Sequence, residues 1–242
     1  MSFDALFAEW KSKYTFHAFI QDGIVAPEHY EMPHILFVLR DMNCQSEHDL
    51  RADLCEDGSG WKTWNNIGRW TKALLDGDEE YPQDMSMMKR MEQLKRVAVM
   101  NLKKEGGVSR SAGKELLEAV KAQHEMIYKE VCLCAPDIIV CCGLTASGIT
   151  GNATLLKDYV LPVSTGWASF RSQTFERDWW YYFTEINEKQ VPVISFCHPQ
   201  VTNLQGARGH ERLFAPLYRD MLHIKKLFLK TDMGGDCYAD RV

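Results

Sequence analysis

Ile35-Leu36-Phe37-Val38-Leu39-Arg40-Asp41-Met42-Asn43 decides how this chain is read. A short apolar run ends abruptly in a polar cluster. Two further segments repeat the pattern. Val97-Ala98-Val99-Met100 runs into Asn101-Leu102-Lys103-Lys104, and Val191-Pro192-Val193-Ile194-Ser195-Phe196-Cys197 runs into His198-Pro199-Gln200. In a parallel sheet the strands are buried and reactive side chains gather at their carboxyl ends. The pattern therefore predicts one rim that carries an acid, Asp41, an amide, Asn101, and an imidazole, His198.

Working outward, strands are expected at about 34–39, 96–100, 137–142 and 191–197. Phe3, Leu6, Phe7, Trp10 and Tyr14 recur at helical spacing and predict a helix over 3–20, broken at Asp22-Gly23. Residues 44–60 are polar, contain Gly58 and Gly60, and read as a long functional loop. Thr63 is expected to cap a helix over 64–75, with Ile67, Trp70, Leu74 and Leu75 on one face. A glycine-containing loop, 105–111, leads to a long helix with the stripe Leu116, Leu117, Val120, Ile127 and Val131, stopped by Pro136. An aromatic-rich, less regular region around 167–183 follows the third strand, and a loop over 199–209 precedes a last helix that starts near Glu211. Strands alternating with helices give an α/β fold: a single three-layer α/β/α domain over 1–230 around a central four-stranded parallel sheet. Residues 231–242, with Gly234-Gly235, are expected to be a mobile tail.

At 242 residues the chain can bury a real core, and its 45% apolar and 25% charged residues are ordinary for a soluble globular protein. No apolar stretch approaches a membrane span, and the polar, acidic start does not fit a secretory signal, so a cytoplasmic protein is expected. The eight cysteines include no Cys-x-x-Cys pair. Cys132 and Cys134 end a helix, Cys141 and Cys142 lie in a strand, and Cys197 ends another, so they read as small core hydrophobes. No metal, iron–sulfur cluster or other cofactor is expected. The net charge of −5 is not that of a nucleic-acid binder as a whole, but Arg40, Lys103, Lys104, Arg110, Arg208 and Arg212 gather near strand ends.

In order and spacing, these residues resemble the uracil-DNA glycosylase superfamily over roughly 20–225. That family builds a four-stranded parallel sheet flanked by helices. Its first motif carries a water-positioning acid, where Asp41 stands; an Asn after the second strand reads the base, where Asn101 stands. Its His-Pro-Ser appears here as His198-Pro199-Gln200, followed by a loop to Arg208-Gly209 that matches the family's DNA-intercalating loop. Asn66-Ile67 matches an Asn-Ile pair in the helix after the first loop. Leu39 and Met42 replace the family's usual Gly and Pro, and Gln200 replaces its Ser. The stacking aromatic is not at its usual place, which leaves Trp61 or Trp64 to take that role. Related bacterial branches include phage-defence enzymes that remove glucosylated hydroxymethylcytosine.

The resemblance implies a monofunctional DNA glycosylase that acts on uracil or a modified cytosine, with DNA as partner, no membrane, and a monomeric state. Glycosidic cleavage develops positive charge on the sugar and negative charge on the departing base. Asp41 suits the first and a ring N–H of His198 the second. Asn101 offers a donor and an acceptor to a pyrimidine edge, and an amide that can flip does not by itself separate uracil from cytosine. Arg40 and Asn43, beside the acid, complete the expected substrate-binding set. Val201 or Leu204 would wedge the gap left by a flipped base. Lys103, Lys104 and Arg208 would hold phosphates, with Gln200 among the DNA contacts. Lys103 is the one candidate for a Schiff base, and its setting reads as solvated. Two alternatives stand beside this reading. One is a non-catalytic nucleic-acid-binding module on the same scaffold. The other is a haloacid-dehalogenase-like phosphatase, which would need a second Asp where Asn43 stands.

Overall fold

The computed structural model describes residues 1–58, 60–106, 113–143 and 151–229. In chain order its elements are α1 (Phe3–Lys13), β1 (Ile20–Gln21), β2 (Gly23–Ile24), β3 (Ile35–Leu39), β4 (His48–Asp49), α2 (Leu50–Glu56), α3 (Lys62–Leu75), α4 (Met87–Leu94) and β5 (Ala98–Asn101). They continue with α5 (Gly113–Cys134), β6 (Ile138–Cys142), α6 (Asn152–Tyr159), β7 (Ala168–Arg171), β8 (Asp178–Ile186), β9 (Lys189–Phe196) and α7 (Ala215–Phe228). The tail expected over 231–242 lies outside the described residues. Among the described residues no helix is long and apolar enough to cross a membrane.

Seven of the described strands form one sheet in the order β2-β5-β3-β6-β9-β8-β7. Its centre, β5-β3-β6-β9, is parallel throughout and consists of the four expected strands. The sheet is wider than four strands because β2 adds antiparallel at one edge and β8 and β7 at the other. The aromatic-rich region supplies that second edge. In β8, Trp179, Tyr182, Thr184 and Ile186 turn inward. Asn187 and Glu188 then join β8 to β9, both with positive φ (50° and 65°), the two-residue turn whose twist matches a hairpin.

Alternate strand residues serve opposite faces. Ile35, Phe37 and Leu39 of β3 pack with Leu54 of α2, Trp70 of α3 and Met221 of α7 on one side of the sheet. Leu36 and Val38 pack with Trp10 of α1, Val120 of α5 and Leu156 of α6 on the other. A sheet covered on both faces explains why these strands read as unbroken apolar runs.

Three local expectations change. The first helix ends at Lys13 rather than near residue 20, because Tyr14 is extended and its hydroxyl donates to the Ala122 carbonyl at 2.7 Å. The segment 44–60 is not all loop: Asp49 accepts from the backbone N–H groups of Arg51 and Ala52 and so starts α2, which buries Leu50 and Leu54. The α4 helix falls where no helix is expected, started by the Ser86 side chain accepting from Lys89 N–H.

Lys104 requires the largest correction. It is not a surface cation for phosphate. Its side chain is fully buried, ion-paired to Asp22 and, at 2.7 Å, to Glu130 of α5, both equally buried. Its ammonium also lies 5.3 Å from the Trp10 ring centre. Burial disfavours the charge, but the two neighbouring carboxyls outweigh it and hold the Lys104 pKa above its usual value. Burial drives the Glu130 carboxyl well above its usual range. Lys104→Ala removes the one cation of this cluster. We expect a loss of about 3–5 kcal/mol of stability, read from urea unfolding of the two chains at neutral pH.

Candidate functional site

Because β5, β3, β6 and β9 are parallel, their carboxyl ends share one edge of the sheet. Asn101 is the last residue of β5, and Asp41 and His198 each lie two residues past the ends of β3 and β9. The β3–β5 ladder runs on past the strands, with Leu102 N–H donating to Leu39 O at 3.1 Å and Lys103 N–H to Arg40 O at 2.9 Å. This fixes the backbone just before Asp41.

Between Asp41 and His198 lies the end of β6. Its next residue, Gly143, has no side chain and takes φ 132°. The buried Asn152 side chain fastens this point, its Nδ2 donating to Cys142 O at 2.7 Å. Asp41 and His198 thus flank a side-chain-free strand end, about 10 Å apart in strand spacing.

His198 is half-buried. Burial lowers its imidazole pKa below the ordinary value, the Arg40 charge lowers it further, and the Asp41 charge opposes them. The ring is neutral at pH 7. Its Nδ1 accepts the Gln200 backbone N–H at 3.1 Å, which places the ring proton on Nε2. The rim therefore holds a neutral N–H donor within electrostatic reach of a carboxylate.

The turn that presents His198 is clamped by α3. Asn66, buried, donates from Nδ2 to Pro199 O at 2.6 Å and accepts from Arg69 Nη1 at 3.2 Å. Arg69 in turn donates to the carbonyls of Pro82 and Gln83, each at 2.9 Å. Gln200 Nε2 donates to Thr63 Oγ1 at 2.7 Å. Thr63 is therefore not the helix cap, a place taken by Trp61. Gln200, expected to contact DNA, instead has its amide N–H engaged within the fold.

The other expected site residues divide. Asn101 is 2% exposed, and one N–H of its amide donates to Asp22, which fixes the way the amide is turned. Trp64 is a core residue at 6% exposure and does not line the rim, whereas Trp61 is 62% exposed. Val201 and Leu204 are half-buried against the core and do not project as wedges. The tip of their loop is Gln205-Gly206, with φ of 50° and 82°, where Leu204 and Ala207 exchange two backbone hydrogen bonds. Lys103 is largely covered and lies 3.9 Å from Glu115. Asn43, Arg208 and Arg212 are exposed, and Arg40 is half-buried. Arg110 lies outside the described residues.

A groove of about 350 Å³ lies beside the 199–209 loop, lined by Thr174, Phe175, Glu176, Gln205, Ala207 and Arg212, and does not include the rim. Residues 107–112 and 144–150, which follow β5 and β6 in the chain, are outside the described residues. Among the described residues no cluster of three or more His, Cys, Asp or Glu side chains forms a metal site. Burial pushes the thiols of Cys134, Cys141, Cys142 and Cys197 up, which keeps them protonated core groups. No family model, curated protein or solved structure matches this chain.

Two outcomes are expected of this geometry. Asn66→Ala leaves the Pro199 carbonyl and an Arg69 N–H without their partner, which should cost about 1–3 kcal/mol in denaturant unfolding. Arg40→Gln removes a charge that lowers the His198 pKa, so an NMR titration of the ring should move its midpoint upward. The sign for stability follows. The folded pKa lies below the unfolded one, so this contribution is present above about pH 6.5 and declines as pH falls through the folded value. Arg40→Gln should narrow that decline.

Proposed function

We propose that this chain is a monofunctional DNA glycosylase of the uracil-DNA glycosylase type, hydrolysing the N-glycosidic bond of a flipped-out pyrimidine, uracil or a modified cytosine. The observation that carries the reading is the pairing at one sheet edge of a half-buried, neutral His198, with its proton directed to Nε2, and the Asp41 carboxylate whose charge it feels. The four-stranded parallel centre covered by helices on both faces is compatible with it.

On this reading the C1′–N1 bond breaks with its electron pair leaving on the base. His198 Nε2–H donates a hydrogen bond to the anion that forms, and a neutral imidazole suffices because the base departs as an anion. Asp41 stabilises the cationic sugar and orients the water whose oxygen bonds to C1′, and the proton that this water loses goes to the departed base anion. The base reaches a sheet edge only after leaving the duplex. The exposed Trp61 offers a stacking face beside the clamped His198 turn, and Arg208 and Arg212 offer cations for the backbone. Lys104, buried, plays no part in that contact.

The test is base release from duplex and single-stranded DNA carrying uracil, a thymine mismatch, hydroxymethylcytosine or its glucosylated form. Wild type is expected to leave an abasic site on at least one substrate, with Asp41→Ala and His198→Ala each slower by about 10²–10⁴-fold. No abasic product from any substrate overturns the proposal, and full activity in Asp41→Ala overturns the mechanism.

A further inference from the structure

The sequence alone leaves the orientation of the Asn101 amide open, and the structure closes it. The backbone N–H of Asn101 donates to Asp22 Oδ2 at 2.7 Å, and its side-chain Nδ2 donates to the same oxygen at 3.0 Å. The other carboxylate oxygen of Asp22 takes the ammonium of Lys104. A carboxylate held by an ammonium only accepts hydrogen bonds. The atom that Asn101 turns toward Asp22 must therefore be its NH₂ group, because turning Oδ1 there would set two acceptors against each other in a fully buried place. Flipping the amide would also leave a buried acceptor short of a donor. Among the described residues no donor reaches Oδ1, the amide atom turned away from Asp22.

We infer that Asp22 is a positioning residue that fixes the Asn101 amide with Oδ1 turned away from it, so that Oδ1 selects a base presenting an N–H donor at its edge. This rests on the glycosylase reading for the identity of the ligand as a base. Two pyrimidine classes share the required chemistry: cytosine-type bases through the 4-amino group and uracil-type bases through N3–H. A base whose edge carries acceptors alone meets Oδ1 with nothing to donate. Asp22 touches no ligand itself. Its effect passes through Asn101, and Lys104 and Glu130 hold it in place.

The lock and its consequence are tested separately. In the labelled wild-type protein, the Asn101 side-chain NH₂ resonances should exchange with solvent far more slowly than those of the exposed Asn43. Exchange as fast as that of Asn43 overturns the lock, whatever the protein catalyses. Selectivity is read as binding to duplexes whose target nucleotide carries a 2′-fluoro-arabino sugar, which resists cleavage. Cytosine is compared with pyrimidin-2-one, which lacks the 4-amino group, and uracil with N3-methyluracil. Loss of the donor should weaken binding about 10–100-fold in the pair that the site recognises, which also tells the two classes apart. Equal binding within both pairs overturns the inference even if wild type releases bases. A preference without base release would uphold it while the hydrolytic reading fails. Asp22→Asn, whose amide can donate as well as accept, should speed Asn101 exchange and erase the preference. If that variant does not fold, the wild-type exchange and binding measurements still decide the matter.

Discussion

A carboxylate buried beyond reach of solvent, Asp22, fastens three parts of this molecule at once. It sits between β1 and β2, receives two N–H groups from the end of β5, and pairs with Lys104, which in turn reaches Glu130 on α5. Removing such a group from water is costly, and the cost is offset only when each lone pair has a partner. The arrangement is therefore a constraint more than a source of net stability. Any shift of β5 against α5 or against the β1–β2 turn would strand a charge in the interior. The end of the second parallel strand is thus defined more tightly than its four residues would suggest.

The opposite half of the rim is held in another way, by hydrogen bonds from α3. Asn66 and Thr63 grip the backbone of Pro199 and the amide of Gln200, while Arg69 ties Asn66 to the segment before α4. Neither Asn66 nor Thr63, which touch the turn, carries a charge, which matters for the ring. Half-burial and Arg40 keep it neutral, and the Gln200 N–H on Nδ1 decides its tautomer. The charges of Arg40 and Asp41, which His198 feels, come from the end of β3, two strands away.

The four parallel strands were legible because burial on both faces demands uninterrupted apolar residues, and Ile35–Leu39 and Ile138–Cys142 supply them. Edge strands obey weaker rules. Gly23–Ile24 is too short to carry a pattern, and the aromatic stretch 178–186 mixes inward and outward residues of the same kind. Asp41 and His198 were legible from their place after buried strands. Lys104 was not, because Lys103-Lys104 reads as a solvated pair until Asp22 and Glu130 are brought to it from distant parts of the chain. Asp22 itself read only as a helix breaker before Gly23. Trp61 and Trp64 illustrate the same limit: three positions apart near the start of α3, they differ almost wholly in exposure, which only the packing of α3 on the sheet decides.

Strand order gives the rim its division of labour. A Cβ at Gly143 would meet the Asn152 amide, whose nitrogen lies 3.5 Å from that position. Along the edge, Asp41 and His198 follow β3 and β9 on either side of β6, and Asn101 ends β5 on the other side of β3. The polarity along this edge is fixed before any ligand arrives. The Asp41 carboxylate occupies the middle, a neutral donor stands on one side, and on the other stands an amide whose orientation Asp22 fixes. On the glycosylase reading, a nucleoside entering this rim has its sugar near the anion and its base between a donor and an acceptor. The choice among bases then rests on Asn101 and its buried support, and the chemistry on the other two residues.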